Sequence, residues 1–380
     1  MKEMINLKAL DALRGVLALY VMAGHARWLL WQGHAAWVSE PHAWWANGLA
    51  HASRGLIFGR EAVMVFFVVS GFFIHFRMAG LLAPDRSVES FSVKTFILRR
   101  AHRLLPPYAL ALLLTVLFDL AGRHGWPSLY HGISGDLALD AEFARKGYSW
   151  ASVVPALLLL PSSLSHDFGT NGPLWSLAFE VLFYSFYPFW LWVRQRSFAV
   201  SFLAVPALCF LVVLLGLPGF CGSVLSEYSV WLGGAALAEM VVHRRGRPSS
   251  RSIPAVMAVI AGFGVHFLRQ YPVVHLLGHV LYGMGIVLLA ISISPAWSEW
   301  RLCKLFEWLG VRSYSLYIMH FPLLVLVSAW AFETYGARPA SGWLALGGFV
   351  AAIAFGCGCF ALCEKHFLHE RLRISEGGGR

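Results

Sequence analysis

Two side chains able to do chemistry stand eleven residues apart in "ALRGVLALYVMAGH": Arg14 and His25. At about 100° per residue they differ by roughly 20° around a helix, and at about 1.5 Å per residue they lie some 16 Å apart along it. One stripe then carries a guanidinium near one end and an imidazole past the middle of an apolar segment. An ionisable group inside a membrane-length segment marks a functional site by default. The competing readings are a packed, hydrogen-bonded histidine and an arginine that snorkels at a helix end. Two further groups fall at related depth, Glu180 in "GTNGPLWSLAFEVLFY" and His320 in "LGVRSYSLYIMHFPLL". Three ionisable groups on three helices suggest a shared polar cavity. A purely structural helix contact remains the alternative for both Glu180 and His320.

A second cluster is basic. "FILRRAHRLLPPY" places Arg99, Arg100, His102 and Arg103 ahead of Pro106 and Pro107. Arg99 and Arg103 are spaced i, i+4 and share one helix face. Guanidinium forks suit phosphate, although cationic residues at a membrane boundary also set topology. The proline pair predicts a bend. In "FFVVSGFFIHFR", Ser70 and Gly71 read as a helix-packing notch rather than a nucleophile, with His75 and Arg77 as further members of the basic cluster. The sketch is two half-sites: cations at one face, imidazole and carboxylate further across. That separation suits a transferase that grips a phosphorylated donor on one side of a membrane and delivers a group toward the other.

The elements that must position these residues are helices in a bilayer. Of 380 residues, 58% are hydrophobic and only 13% charged, against about 25% charged in soluble domains, and the mean hydropathy is +0.63. An all-α, polytopic membrane protein follows. Segments of about 20 apolar residues lie near 11–31, 60–79, 103–121, 173–193, 197–216, 224–242, 253–269, 273–294, 308–330 and 341–363. The run 151–161 is too short to cross and is assigned to the interface or a re-entrant position. With both termini inside, the runs 99–103, 194–196 and 244–251 fall on the cytoplasmic face, as the positive-inside rule requires. The net charge of +10 therefore points to cytoplasmic loops rather than to nucleic acid. The first span reads as retained, not as a cleaved signal. No disulfide framework is legible among the six cysteines. The expected organisation is one transmembrane domain over 1–364 and a cytoplasmic tail over 365–380.

Five stretches, in this order, resemble the membrane acyltransferase-3 family of bacterial O-acyltransferases: "LDALRGVLALYVMAGH", "VFFVVSGFFIHFR", "RRAHRLLPPY", "NGPLWSLAFEVLFY" and "SYSLYIMHFP". The resemblance implies a ten-helix domain in the bacterial cytoplasmic (inner) membrane and an acyl-CoA donor, usually acetyl-CoA. It also implies a carbohydrate or glycolipid acceptor outside, and no metal. By that resemblance Arg14 and His25 match an arginine–ten residues–histidine motif with His25 the essential catalytic residue. Arg99, Arg103 and Pro106 match an arginine-rich motif, and Trp175, Ser176 and Glu180 a "WSL…E" motif. The expected mechanism has CoA phosphates among Arg14, Arg99 and Arg103. The pantetheine arm runs outward from there to His25, which acts as general base or as a transient acyl carrier; Glu180 orients an imidazole or the acceptor, and His320 is a second base or a helix contact. Some family members carry an appended extracytoplasmic domain. This chain ends at 380, so transfer is expected to finish in the membrane domain or with a separate partner. Rival readings are a glycolipid transporter or flippase, and a cytochrome with His25 and His320 as haem ligands. The acceptor is not legible. Outer segments 32–59 and 122–172 carry Trp37, Trp44, Trp45, Trp126, Tyr130, Tyr148 and Trp150, rings that stack on sugars or anchor at the interface.

Overall fold

A computed structural model describes residues 7–37, 42–82, 91–160, 167–217, 219–243, 252–266, 268, 270–293 and 299–368. Of the basic runs used to orient the chain, Arg244, Arg245, Arg247 and Arg251 lie outside the described residues, as does the tail beyond 368.

A helix occupies each of the ten apolar segments. These are α1 (Leu7–Leu30), α2 (Gly59–Leu81), α3 (Val93–Gly125), α4 (Trp175–Arg196), α5 (Val205–Leu214), α6 (Gly219–His243), α7 (Ser252–His266), α8 (Pro272–Ser292), α9 (Ser313–Tyr335) and α10 (Trp343–Cys359). A further helix, Arg301–Val311, was not foreseen as a separate element. The described residues contain no strand, only an isolated bridge between Gly147 and Phe168. The short apolar run at 151–161 forms an eight-residue helix, Trp150–Leu157, far below crossing length.

Among the described residues, six helices are long and apolar enough to cross a membrane: α2, α3, Gly172–Arg196, α8, α9 and Trp343–Leu368. The others differ for physical reasons. α1 carries Lys8, Asp11, Arg14 and Arg27. α6 buries Glu227 and Glu239, and the apolar helices Val200–Leu214 and Pro254–Gly264 are short. α3 begins ten residues before the expected span and continues through Pro106 and Pro107 as one helix. The arginine run is therefore helical and lies in the second and third turns, ahead of the proline pair.

The chain divides into two compact units, Met1–Leu17, Arg60–Ile97 and Ser176–Val311 forming one, Ala18–Gly59, Leu98–Trp175 and Arg312–Arg380 the other. The first unit is built on α2, whose apolar window is 72% buried. A Cβ on Gly71 would run into the Trp231 carbonyl oxygen, and one on Gly234 into that of Val68. α2 and α6 thus touch backbone to backbone through reciprocal glycines, the membrane-helix device for close approach. Gly71 is the notch its sequence suggested. Below this contact lies a charged knot. His75 is fully buried, with Nε2 2.9 Å from Glu239 Oε1 and Nδ1 3.1 Å from the Tyr187 hydroxyl, while Arg194 Nε donates to Glu239 Oε1 at 2.6 Å. Mutual pairing is what makes these buried charges tolerable.

The second unit is built on α9, also 72% buried in its apolar window. Glu364 closes its N-terminus by accepting Ser315 N (3.1 Å) and Ser315 Oγ (2.6 Å), filling the role of an N-terminal cap with a carboxylate from a distant helix. Gly336 ends it in the left-handed region at φ 71°, its N–H donating to Phe332 O at 2.8 Å, the usual glycine stop. Ser328 Oγ donates to Leu29 O at 2.8 Å, which fixes α9 against the C-terminal half of α1. By contrast only 28% of the window over Trp343–Leu368 is buried, leaving an apolar outer face of the kind lipid covers.

A two-histidine centre on α1 and α9

His25, half-buried on α1, and His320, fully buried on α9, meet in the second unit. His25 Nδ1 lies 2.8 Å from His320 Nε2, and the rings are 11° from parallel with centroids 5.1 Å apart. The rest of the network fixes the protons. His320 Nδ1 is 3.0 Å from Leu316 O. A carbonyl only accepts, so in the neutral ring Nδ1 carries the hydrogen and Nε2 presents its lone pair. His25 must then donate Nδ1–H to that lone pair, which leaves Nε2 of His25 unprotonated and without a partner among the described residues. The pair is a relay with a fixed direction: carbonyl, His320, His25, free lone pair. Phe321 packs edge-on to His25 at 4.9 Å and stacks with Trp28 at 6.3 Å. These two rings shield one flank of the imidazole. The haem reading does not fit: two nitrogens hydrogen-bonded to each other cannot flank an iron whose ligand bonds are each about 2 Å.

Residues that the sequence reading passed over hold His320 in place. Asn171, almost fully buried, donates Nδ2 to Thr115 Oγ1 and to Ile318 O, both at 3.0 Å. It clamps α9 two residues before His320. The preceding residue is clamped in turn: Asp119 accepts Thr170 N at 2.9 Å, Thr170 Oγ1 at 2.6 Å and the Tyr148 hydroxyl at 2.8 Å. Burial, with Asp119 beside it, pushes the Tyr148 pKa far up, so the phenol stays a donor. Asn171 stands four residues before Trp175 in "TNGPLWS". A polar residue just ahead of a Gly-Pro helix start was the available signal.

The remaining expected residues are distributed. Glu180 belongs to the first unit, half-buried, where its Oε1 accepts Ser70 Oγ at 3.0 Å and the Tyr184 hydroxyl. Trp231 Nε1 donates to the same Ser70 at 3.3 Å. Ser70 therefore serves as a hydrogen-bond hub, and Glu180 is engaged by hydroxyls. Ser176 is buried on the same helix. Arg14 pairs with Asp11 one turn earlier at 3.3 Å. Arg99 is exposed and Arg103 half-buried on α3, in the second unit with His25. Tyr317 lies beside His320, ring centroids 6.1 Å apart.

The profile of a family described as "acyltransferase domain", acyltransferase-3, matches residues 7–363. The chain is 24% identical over 348 residues to the peptidoglycan O-acetyltransferase OatA of Listeria monocytogenes, covering 84% of this chain and 50% of that one. It is 27% identical over 316 residues to the putative peptidoglycan O-acetyltransferase YrhL of Bacillus subtilis, covering 74% and 45%. It is 27% identical over 357 residues to the putative membrane-bound transacylase BcsY of Komagataeibacter xylinus, covering 91% and 80%. The chain spans about half the length of the first two. No solved structure gives a significant match. A match over nearly the whole chain, on the arginine–histidine, arginine-rich and tryptophan–serine stretches together, makes this protein a member of the acyltransferase-3 family.

Proposed function

We propose that the chain is a membrane O-acyltransferase that moves an acyl group, acetyl in the simplest case, from cytoplasmic acyl-CoA to a hydroxyl of an extracytoplasmic glycan or glycolipid. The observation that carries the reading is the free Nε2 lone pair of His25, held by His320 inside an apolar unit. Nε2 takes the acceptor hydroxyl proton as the oxygen attacks the thioester carbonyl, and the imidazolium returns that proton to the departing CoA sulfur. His320 touches no reacting atom in this scheme and is a positioning residue rather than a second base. Arg99 and Arg103 on α3, and Arg14 on α1, are assigned to the donor's phosphates, where guanidinium forks give charge-assisted hydrogen bonds. Glu180, assigned by the family motif, acts through its hydroxyl network rather than as an imidazole partner. The topology that goes with this function is ten spans over 1–364, both ends cytoplasmic, followed by a tail over 365–380 in the bacterial inner membrane.

The names of the relatives support glycan O-acetylation as the reaction class. The deciding experiment compares O-acetyl groups on surface glycans by mass spectrometry in cells carrying the native protein or His25→Ala at matched membrane levels. Loss of the acetyl groups is expected. Full acetylation by the variant removes His25 as the base.

A further inference from the structure

An open cavity of about 470 Å³ lies beyond the histidine pair along the first helix, lined by Arg27, Trp28, Trp31, His34, Arg54 and Arg338 together with Gln32 and Gly33. All of these belong to the second unit. Trp28 is one helical turn beyond His25, about 4.5 Å along the axis, and Phe321 contacts both rings, so the cavity and the catalytic imidazole share a wall. No carboxylate is among the lining residues. Arg338 is committed: it forms an ion pair with Asp136 and donates NH1 to Trp28 O at 2.7 Å. Arg27 donates Nε to Ser53 Oγ at 3.2 Å, and its guanidinium lies 5.5 Å from the Trp31 ring centroid. Neither Arg27 nor Arg54 has an acidic partner among the described residues, and Arg54 is exposed. Desolvation, then His51, Arg54 and Arg27, lower the pKa of His34, which favours the neutral ring. Two cations with no acidic partner among the described residues, beside a half-exposed indole one turn beyond His25, form an electropositive, stacking-competent recess.

We propose that this recess holds an anionic sugar of the acceptor, a residue bearing a carboxylate or a phosphate, with Arg27 and Arg54 on the anion and Trp28 against the ring. The inference rests on the acyltransferase reading for its place beside His25 and narrows the acceptor to acidic glycans. It gives a role to Arg27 and Arg54, which neither the arginine-rich stretch on α3 nor the donor assignment uses.

The test uses the full chain in phosphatidylcholine nanodiscs, with calorimetric binding of tetragalacturonate, glucose 1-phosphate and neutral maltotetraose. At least one anionic probe is expected to bind about tenfold or more tighter than maltotetraose, with affinity falling as salt rises. Whichever anionic probe wins identifies carboxylate or phosphate as the recognised group. Arg54→Gln, an exposed position with no hydrogen bond or ion pair among the described residues, should cost about tenfold for that probe and leave maltotetraose unchanged. Equal affinity for neutral and anionic probes, an unaffected Arg54→Gln, or complete displacement by phosphatidylglycerol in the disc overturns the proposal, the last by assigning the cations to a lipid headgroup. His25→Ala should bind as the native protein does. Probe binding without any acetyl transfer removes the transferase reading and keeps the recess. Transfer that proceeds with no anionic probe bound removes the recess alone.

Discussion

Replacing His320 by Phe isolates the role of the hydrogen bond that orients His25. Phe has nearly the same ring volume, so the buried space stays filled, but the acceptor 2.8 Å from His25 Nδ1 disappears. His25 then has two options. It keeps its tautomer with an unpaired N–H, at about 1–3 kcal/mol for a buried donor. Otherwise it moves the hydrogen to Nε2 and ceases to present a lone pair to the acceptor. At about 1.4 kcal/mol per tenfold, the first option corresponds to roughly 5–150-fold, and second-shell partners of functional histidines elsewhere are worth about 10–100-fold. The expected result is a kcat lower by about 10–100-fold with the acetyl-CoA KM changed by less than about threefold, because the loss falls in the transition state. His320→Gln offers an amide oxygen as acceptor and should recover part of the rate. His25→Ala should cost more, about 10²–10⁴-fold, and adding His320→Phe to it should cost nothing further. The assay is CoA release from acetyl-CoA by nanodisc protein together with glycan O-acetyl content in cells, with thermal unfolding as the folding control. A folded His320→Phe at native kcat, or a double variant whose losses multiply, refutes the relay.

Asn171→Ala removes two 3.0 Å hydrogen bonds next to His320; stability should fall by about 1–3 kcal/mol, and kcat should fall more than KM rises, both measurable on the same preparation. Glu239→Gln leaves Arg194 and His75 facing an uncharged partner in a buried knot and should cost about 3–5 kcal/mol. Lys304→Gln, which breaks the exposed pair with Glu299, should shift the melting temperature by an amount near the noise. Arg99→Gln and Arg103→Gln should each raise the acetyl-CoA KM by about tenfold, with kcat within about threefold and the penalty shrinking in high salt. A kcat loss at unchanged KM would take those arginines out of donor binding.

Helix positions were readable because a bilayer demands long apolar runs, and all ten such runs are helical. Partners were not readable. Helices apolar on every face carry little periodic contrast, so the pattern that tells a soluble helix which side to bury is missing. The contact between α2 and α6 depends on Gly71 and Gly234, and small residues also occur in many segments where they contact nothing. Ionisable residues were the exception. His25 and His320 stood out because burying them is costly, and they proved to be each other's partners. Glu180 stood out for the same reason, yet its partners are Ser70 and Tyr184, hydroxyls that carry no such signal. Asn171, Asp119 and Glu364 went unread because a single polar residue at a helix end is common. Their importance lies in accepting or donating across 49–147 residues of sequence.

In the proposed mechanism a second imidazole, rather than a carboxylate, orients the base, and the burial of the centre gives the reason. A carboxylate fully buried beside His25 would need compensation of the kind Glu239 receives from Arg194 and His75, and an unpaired one would be costly. His320 instead fixes the tautomer with no net charge, at the expense of weaker stabilisation when His25 becomes an imidazolium. That weakness suits a thioester donor. A thiol with a pKa near 8.5 departs far more readily than an amine or alkoxide, so the proton needed by the leaving group is less critical and the work left for the imidazole is to take the proton from the acceptor hydroxyl. Under that proposal, a neutral two-histidine relay suits acyl transfer from a thioester better than hydrolysis of an amide. The same centre should therefore discriminate between donors by leaving group, turning over thioesters while leaving the corresponding oxygen esters and amides intact.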